Sequence, residues 1–188
     1  TYTASIDGNG SVVVDGSDLT ITPDENFNGD IMVTVFVSDG QAQDNTGFAL
    51  TVTPINDAPV LDSIPDQEVD EDNDFIYTLS AIDVDEDDLT YTVSIDGNSS
   101  VTVNGSDLII TPDANFNGDI VVTVSVTDGE YADSDSFVLS INPINDAPSI
   151  DAISNQNIDE EEIFVFEISA TDIDSSILEY AAVLSGNG

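Results

Sequence analysis

Asp83-Val84-Asp85 sets two carboxylates two positions apart, just past an alternating apolar run, and Asp172-Ile173-Asp174 repeats the arrangement 89 residues later. In a loop where strand alternation stops, such a pair can turn both side chains to one cation. Calcium takes six to eight oxygens at about 2.3–2.6 Å from carboxylates, amides and carbonyls. In the later copy the neighbours Glu86, Asp87 and Asp88 are replaced by Ser175, Ser176 and Ile177. The chain thereby separates candidate ligands from plain surface charge. Asp87, Asp88, Asp133 and Asp135 read as solvated surface. The loop after Asp83 is not an EF-hand, which needs Gly at its sixth position and Glu at its twelfth; those positions are Asp88 and Ser94.

Composition narrows the chemistry further. The 188 residues carry 39 Asp plus Glu and no Lys, Arg or His, a formal charge of −39. Yet 40% are hydrophobic, a folded-domain value rather than that of an acidic disordered tail. Such charge opposes compaction, so high ionic strength or bound divalent cations must offset it. Without a cationic patch, nucleic acid and anionic membrane surfaces are poor partners, and neither nucleic-acid binding nor membrane insertion is expected. Absence of Cys and His removes disulfides, thiol nucleophiles and the usual zinc, copper and iron ligands, leaving oxygen donors for hard cations. Paired carboxylates can hydrolyse glycosides without His or Lys, but a catalytic cleft duplicated every 89 residues is an improbable design, and no enzyme is expected. No run approaches the ~20 apolar residues of a membrane span, and no signal peptide is visible.

The elements that must position these acids repeat too. Thr22–Ile31 returns as Thr111–Ile120, and Pro54-Ile-Asn-Asp-Ala-Pro59 as Pro143-Ile-Asn-Asp-Ala-Pro148, both at an offset of 89. At that offset residues 1–57 match 90–146 at 38 of 57 positions, which marks a tandem array of small domains. Period-2 alternation fills the apolar stretches. Ile120, Val122, Val124 and Val126 share one face; Phe75, Tyr77 and Leu79 share another, as do Tyr91, Val93 and Ile95, and Phe137, Leu139 and Ile141. These are half-buried antiparallel strands, separated by turn signals such as Asp96-Gly97-Asn98 and Asn104-Gly105-Ser106. The expected fold is all-β, a tandem array of Greek-key β-sandwiches of immunoglobulin type. Residues 56–144 would form one complete repeat, 1–55 the C-terminal part of another, and 145–188 the start of a third. Phe27 and Phe116 are expected to plug the core beside the loop entering a long strand. Three sequons, at Asn9, Asn98 and Asn104, lie in turns that use Asn for backbone reasons.

Taken together, the junction Asn-Asp-Ala-Pro (Asn56–Pro59, Asn145–Pro148), Asp70-Glu71-Asp72, Ala81-Ile-Asp83-Val-Asp85 and Val126-Thr-Asp128-Gly129 resemble the bacterial cadherin-like tandem repeats of large surface and secreted proteins. The resemblance covers the whole chain. It implies calcium at each junction, held by acids at the base of one sandwich, the Asn-Asp linker, and Asp-x-Asp plus a further Asp on the next. At the first junction it implies Asn56 and Asp57 with Asp83, Asp85 and Asp128 below, and Asp24 and Glu25 above. At the second it implies Asn145, Asp146, Asp172 and Asp174, with Glu71 and Asp113 above. Ala58 and Ala147 stand where the vertebrate pattern has a second Asn, so one or two ions per junction are implied.

The expected function is structural: a segment of a long extracellular stalk or filament of a bacterial adhesin or surface protein, rigidified by calcium. Its partners would be neighbouring repeats, other copies in a fibre, and a cell-surface or polysaccharide ligand reached through regions outside this segment. The alternative is a carbohydrate-binding module of a secreted polysaccharide-acting protein. Sugar platforms need exposed rings, and nearly all Phe and Tyr fall on expected core faces, with Tyr131 the main exception.

Overall fold

The computed structural model describes residues 1–183. Among these there are sixteen strands and no helix, as the period-2 patterning requires. In chain order they are β1 (Tyr2–Ile6), β2 (Gly10–Asp15), β3 (Asp18–Pro23), β4 (Gly29–Ser38), β5 (Gln43–Val52), β6 (Val60–Leu61), β7 (Gln67–Asp70) and β8 (Phe75–Thr78). There follow β9 (Ala81–Ile82), β10 (Thr90–Ile95), β11 (Ser99–Asn104), β12 (Asp107–Pro112), β13 (Gly118–Thr127), β14 (Ala132–Asn142), β15 (Ser149–Ile150) and β16 (Ala170–Thr171). Two compact units emerge. One comprises Thr1–Leu61, Ala81–Thr90 and Val126–Asp133; the other comprises Asp62–Ser80, Tyr91–Ser125 and the chain from Ser134.

The second unit carries a β-sandwich of immunoglobulin type. One sheet runs β10-β13-β14-β7 and the other β11-β12-β8. Strand β7 closes the first sheet in parallel with β14, Leu139 opposite Gln67 and Asn142 opposite Asp70. Strand β12 pairs antiparallel with β8, Leu108 opposite Tyr77 and Ile110 opposite Phe75. Alternation then decides the core. Leu108 and Ile110 of β12, Ile120, Val122 and Val124 of β13, and Phe137, Leu139 and Ile141 of β14 are all buried, while Ile76, facing outward on β8, is 67% exposed. Each fully buried side chain contributes about 1.5–3 kcal/mol of hydrophobic stabilisation. The rings of Phe75 and Phe137, one from each sheet, meet at 6.1 Å with a 48° tilt, a favourable geometry for aromatic pairs.

The 89-residue repeat is reproduced in backbone conformation. The β2–β3 hairpin pairs Asp15 with Asp18, and β11–β12 pairs Asn104 with Asp107. Both two-residue turns place glycine first at positive φ, 63° for Gly16 and 62° for Gly105, as a turn matching strand twist demands. In the first unit β1-β4-β5 forms one sheet and β2-β3 another. Ile31 and Val33 are its fully buried centre.

Three expectations need correction. Asp133 and Asp135 are not plain surface charge: Asp133 Oδ2 accepts the Leu61 N–H at 2.9 Å and Asp135 Oδ2 the Ile64 N–H at 2.8 Å. Segment 61–66 has little ladder of its own, so carboxylates take the donors a neighbouring strand would otherwise satisfy. Phe27 and Phe116 are half-buried rather than core plugs. A Cβ on Gly118 would stand 3.5 Å from Phe116 Cζ, so the ring lies over its own turn. Finally, Tyr2, Phe48, Phe164, Phe166 and Tyr180 are between 43% and 51% exposed, alongside Tyr131 at 46%. Phe48 lies on β5, the last strand of its sheet, and Phe164 in a stretch that forms no ladder. Residues 151–169, between the paired β15 and β16, carry no strand.

Candidate cation sites

The first cluster lies within the first unit. After β9 the chain turns at Asp83, whose Oδ1 accepts the N–H of Asp85 at 2.9 Å and of Asp87 at 3.3 Å. This local bonding ends the strand and folds the loop over its own acids. Asp83, Asp85 and Asp87 each offer a carboxylate oxygen, and the three lie within 4.8 Å of one another. Asp87, read as surface charge, is indeed exposed, yet its carboxylate lies within reach of the other two. Its spacing of four from Asp83 within one loop was the overlooked signal.

The linker is drawn to the same place. Asp57 donates its N–H to Asp85 Oδ2 at 2.8 Å, and the Asn56 amide donates to Asp128 Oδ2 at 2.9 Å. Asp128 Oδ1 meanwhile accepts the N–H groups of Glu130 and Tyr131, both at 2.7 Å. Asp24, Asp57 and Asp85 line one cleft with Asn26, Phe27 and Asn28. Glu25 is exposed beside them.

The electrostatics follow from these contacts. Partial desolvation first, then the like charges of Asp83 and Asp85, hold the Asp87 carboxyl above its usual range. Asp128 is held below it, chiefly by the Asn56 amide and then by the Tyr131 N–H. Asp83 Oδ2 is buried without a hydrogen-bond partner.

The second cluster lies within the second unit. Glu71 is 1% exposed. Its Oε1 accepts the Ile144 N–H at 2.6 Å and its Oε2 the Asn117 amide at 3.4 Å. Asp146 donates its N–H to Asp174 Oδ2 at 2.5 Å, and Asp172 Oδ1 accepts the N–H groups of Asp174 at 2.9 Å and Ser175 at 2.7 Å. The Asp57–Asp85–Asp83 chain of contacts is thus repeated 89 residues on as Asp146–Asp174–Asp172. Asn145 differs from Asn56 in turning its amide to the Asp146 carbonyl, at 2.6 Å. Desolvation, then the charges of Asp174, Asp72, Glu71 and Asp172, push the Asp146 carboxyl up. Asp146 Oδ2 is buried and unpartnered.

Asp113 contributes through its backbone, its carbonyl accepting the Phe116 N–H at 3.0 Å. Asp72 was missed among the candidates. At a φ of 62° its Oδ1 accepts the Asn115 N–H at 3.1 Å, a link across 43 residues that is invisible without the fold.

Both clusters offer carboxylate, amide and carbonyl oxygens only, the donor set that suits calcium. Their buried, unpartnered oxygens fit a site that a cation completes.

Residues 56–142 match a family model described as "Bacterial Ig domain", and that segment folds as an immunoglobulin-like β-sandwich. No match to a curated protein is found. Among solved structures, the chain is similar to human Protocadherin-24 EC1-2, with 12% identity over 76% of this chain and 82% of that one, at a TM-score of 0.49. It is also similar to the endo-fucoidan hydrolase MfFcnA4 from glycoside hydrolase family 107, with 19% identity over 76% of this chain, at a TM-score of 0.35. The match to extracellular domains 3-5 of Drosophila OTK has 15% identity over 75% of this chain and 51% of that one, at a TM-score of 0.39. The chain spans 23% of the length of the fucoidan hydrolase.

Proposed function

We propose that this chain is a segment of a long extracellular stalk or filament of a bacterial adhesin or surface protein, with calcium rigidifying the passage from each sandwich to the next. The observation that carries the reading is the pair of buried, unpartnered carboxylate oxygens, Asp83 Oδ2 and Asp146 Oδ2. Each sits among further acids of its own cluster, although the two positions differ in the 89-residue period, Asp83 matching Asp172 and Asp146 matching Asp57. A buried carboxylate without a partner is costly, and a sequence with no Lys, Arg or His has no cationic side chain to offer. The compensating charge must come from solution, and all-oxygen donors favour calcium.

In this reading Asp57, Asp83, Asp85 and Asp87 hold the ion at one junction, with Asn56 and Asp128 fixing the linker and Asp24 facing it. Asp146, Asp172, Asp174 and Glu71 do so at the other. Tandem modules contact only their neighbours, so stiffness is decided at each junction. Without a cation the facing carboxylates repel; with one they share it. No helix of the described residues is long and apolar enough to cross a membrane.

Small-angle scattering with and without a calcium chelator, at constant ionic strength, tests the reading. A larger maximum dimension and lower flexibility are expected with calcium; identical profiles would overturn it. The alternative, a carbohydrate-binding module, has the exposed Tyr131 ring in its favour. Quenching of tyrosine fluorescence by soluble acidic or neutral polysaccharide, lost in Tyr131→Ala, would support that alternative.

A further inference from the structure

Four Asn-Gly pairs lie among the described residues, at Asn9, Asn28, Asn104 and Asn117. The pair has a chemistry of its own. The glycine nitrogen can attack the asparagine Cγ, because no side chain on glycine hinders the approach. Ring closure forms the N–Cγ bond, the glycine amide proton passes to solvent base, and the side-chain nitrogen leaves as ammonia. The resulting succinimide takes up water at either carbonyl. One opening gives aspartate; the other gives isoaspartate, in which the backbone runs through the former side chain. The net change is water in and ammonia out, with no oxidant or other co-reactant.

The fold separates the four pairs. Gly10, Gly29 and Gly118 are the first residues of β2, β4 and β13, so their backbone is held at the end of a ladder. A Cβ on Gly10 would stand 2.6 Å from the Thr22 carbonyl oxygen, and one on Gly29 or Gly118 would stand 3.5 Å from a Phe ring. The Asn117 amide is also committed, donating to Glu71 at 3.4 Å. Gly105 is placed differently. It lies in the two-residue turn, outside the ladder that ends at the Asn104–Asp107 pair, and a Cβ there would meet nothing within 4 Å. Asn104 is exposed, and its side-chain amide has no hydrogen-bond partner among the described residues.

We propose that the fold leaves Asn104 open to spontaneous deamidation, through a succinimide with Gly105, while protecting the other three pairs. The preceding repeat shows that the turn accommodates the aspartate product. Asp15 is the counterpart of Asn104, and the two turns share a register and a glycine φ, 63° at Gly16 and 62° at Gly105. Aspartate at position 104 would face Asp107 as Asp15 faces Asp18. Isoaspartate instead puts an extra carbon into the backbone just before the turn. The Ser106 carbonyl accepts the Leu79 N–H at 2.8 Å, and Leu79 is 2% exposed, so that lengthening acts on a bond anchoring the hairpin tip to the sandwich.

Peptide mapping by mass spectrometry, after incubating the 188-residue chain in mildly alkaline buffer, tests the proposal. A chymotrypsin-type protease generates the peptides, since trypsin finds no Lys or Arg. Pairs held at strand ends must open before they react, and opening populated about one part in ten or less slows them roughly tenfold or more. Position 104 is therefore expected to deamidate at least about tenfold faster than positions 9, 28 and 117. In heavy-oxygen water each event should incorporate a labelled oxygen. In urea the four rates should converge, because only the fold separates them. Asp15→Asn copies the pair into the β2–β3 turn and is expected to create a second fast site at position 15. Asn104→Gln, whose longer side chain disfavours ring closure, should silence the first. Similar rates at the four positions of the folded chain, a ranking that urea leaves unchanged, no fast reaction at position 15 of the variant, or a fast event surviving in Asn104→Gln would each overturn the proposal.

Discussion

Asn56 donates its side-chain amide to Asp128 at 2.9 Å, joining residues 72 positions apart and fixing the linker to the turn at 128–131. That bond is also the largest influence holding the Asp128 carboxyl below its ordinary value of 3.8. Asn56→Ala removes it. Asp128 in the variant should titrate at higher pH than in the wild type, as followed by carboxyl-carbon NMR. A group with a lowered folded pKa stabilises the fold above 3.8, and that contribution disappears as pH falls through the folded value. The variant should therefore lose stability at neutral pH and show a weaker acid dependence. An unmoved Asp128 titration would mean the amide is not its partner in solution.

Asp146 has the opposite sign. Its folded pKa is raised above 3.8 by desolvation and neighbouring acids. Its contribution is fully present below 3.8 and is lost as pH rises through the folded value, because ionisation then opposes the fold. Without calcium, Asp146→Asn should be more stable than wild type at neutral pH, with the gap closing in acid. With calcium the order should reverse, since the wild type gains a ligand that Asn replaces poorly. Thermal melts from pH 3 to 8, with and without chelator, measure both arms.

The sandwich core makes a separate demand. Phe137 is 2% exposed and meets Phe75, while Ile76 is 67% exposed on the neighbouring strand. Phe137→Ala should cost about 3–5 kcal/mol. Ile76→Ala should stay within about 0.5 kcal/mol, as surface substitutions do. Urea unfolding of the two variants compares them directly, and equal losses would contradict the facing of β8.

The fold was legible because its signal is local. Alternation assigned Val122, Val124 and Val126 to one buried face and Phe137, Leu139 and Ile141 to another without any knowledge of pairing. The 89-residue offset similarly identified the Asp-x-Asp pairs, whose loop bonding recurs at Asp83 and Asp172. Harder to see were roles set by distant backbone. Asp133 and Asp135 bond Leu61 and Ile64 across more than seventy residues, and nothing in their own neighbourhood distinguishes them from surface acids. Exposure of Phe48 and Phe164 was equally hidden, because alternation reports which face is apolar and not how fully that face is covered.

Calcium titration calorimetry is the most direct test of cation binding at the Asp57–Asp83–Asp85 cluster. Wild type should be compared with Asp83→Asn/Asp85→Asn and with Asp15→Asn/Asp18→Asn, which removes two exposed acids beside the β2–β3 turn. Asp133 and Asp135 are unsuitable controls because they hold the backbone. Both variants lose the same formal charge. The expected result is loss of a binding event in the Asp83/Asp85 variant, and an isotherm close to wild type for the Asp15/Asp18 variant. Equal weakening in both would show diffuse attraction of counterions to an acidic surface and would contradict a site.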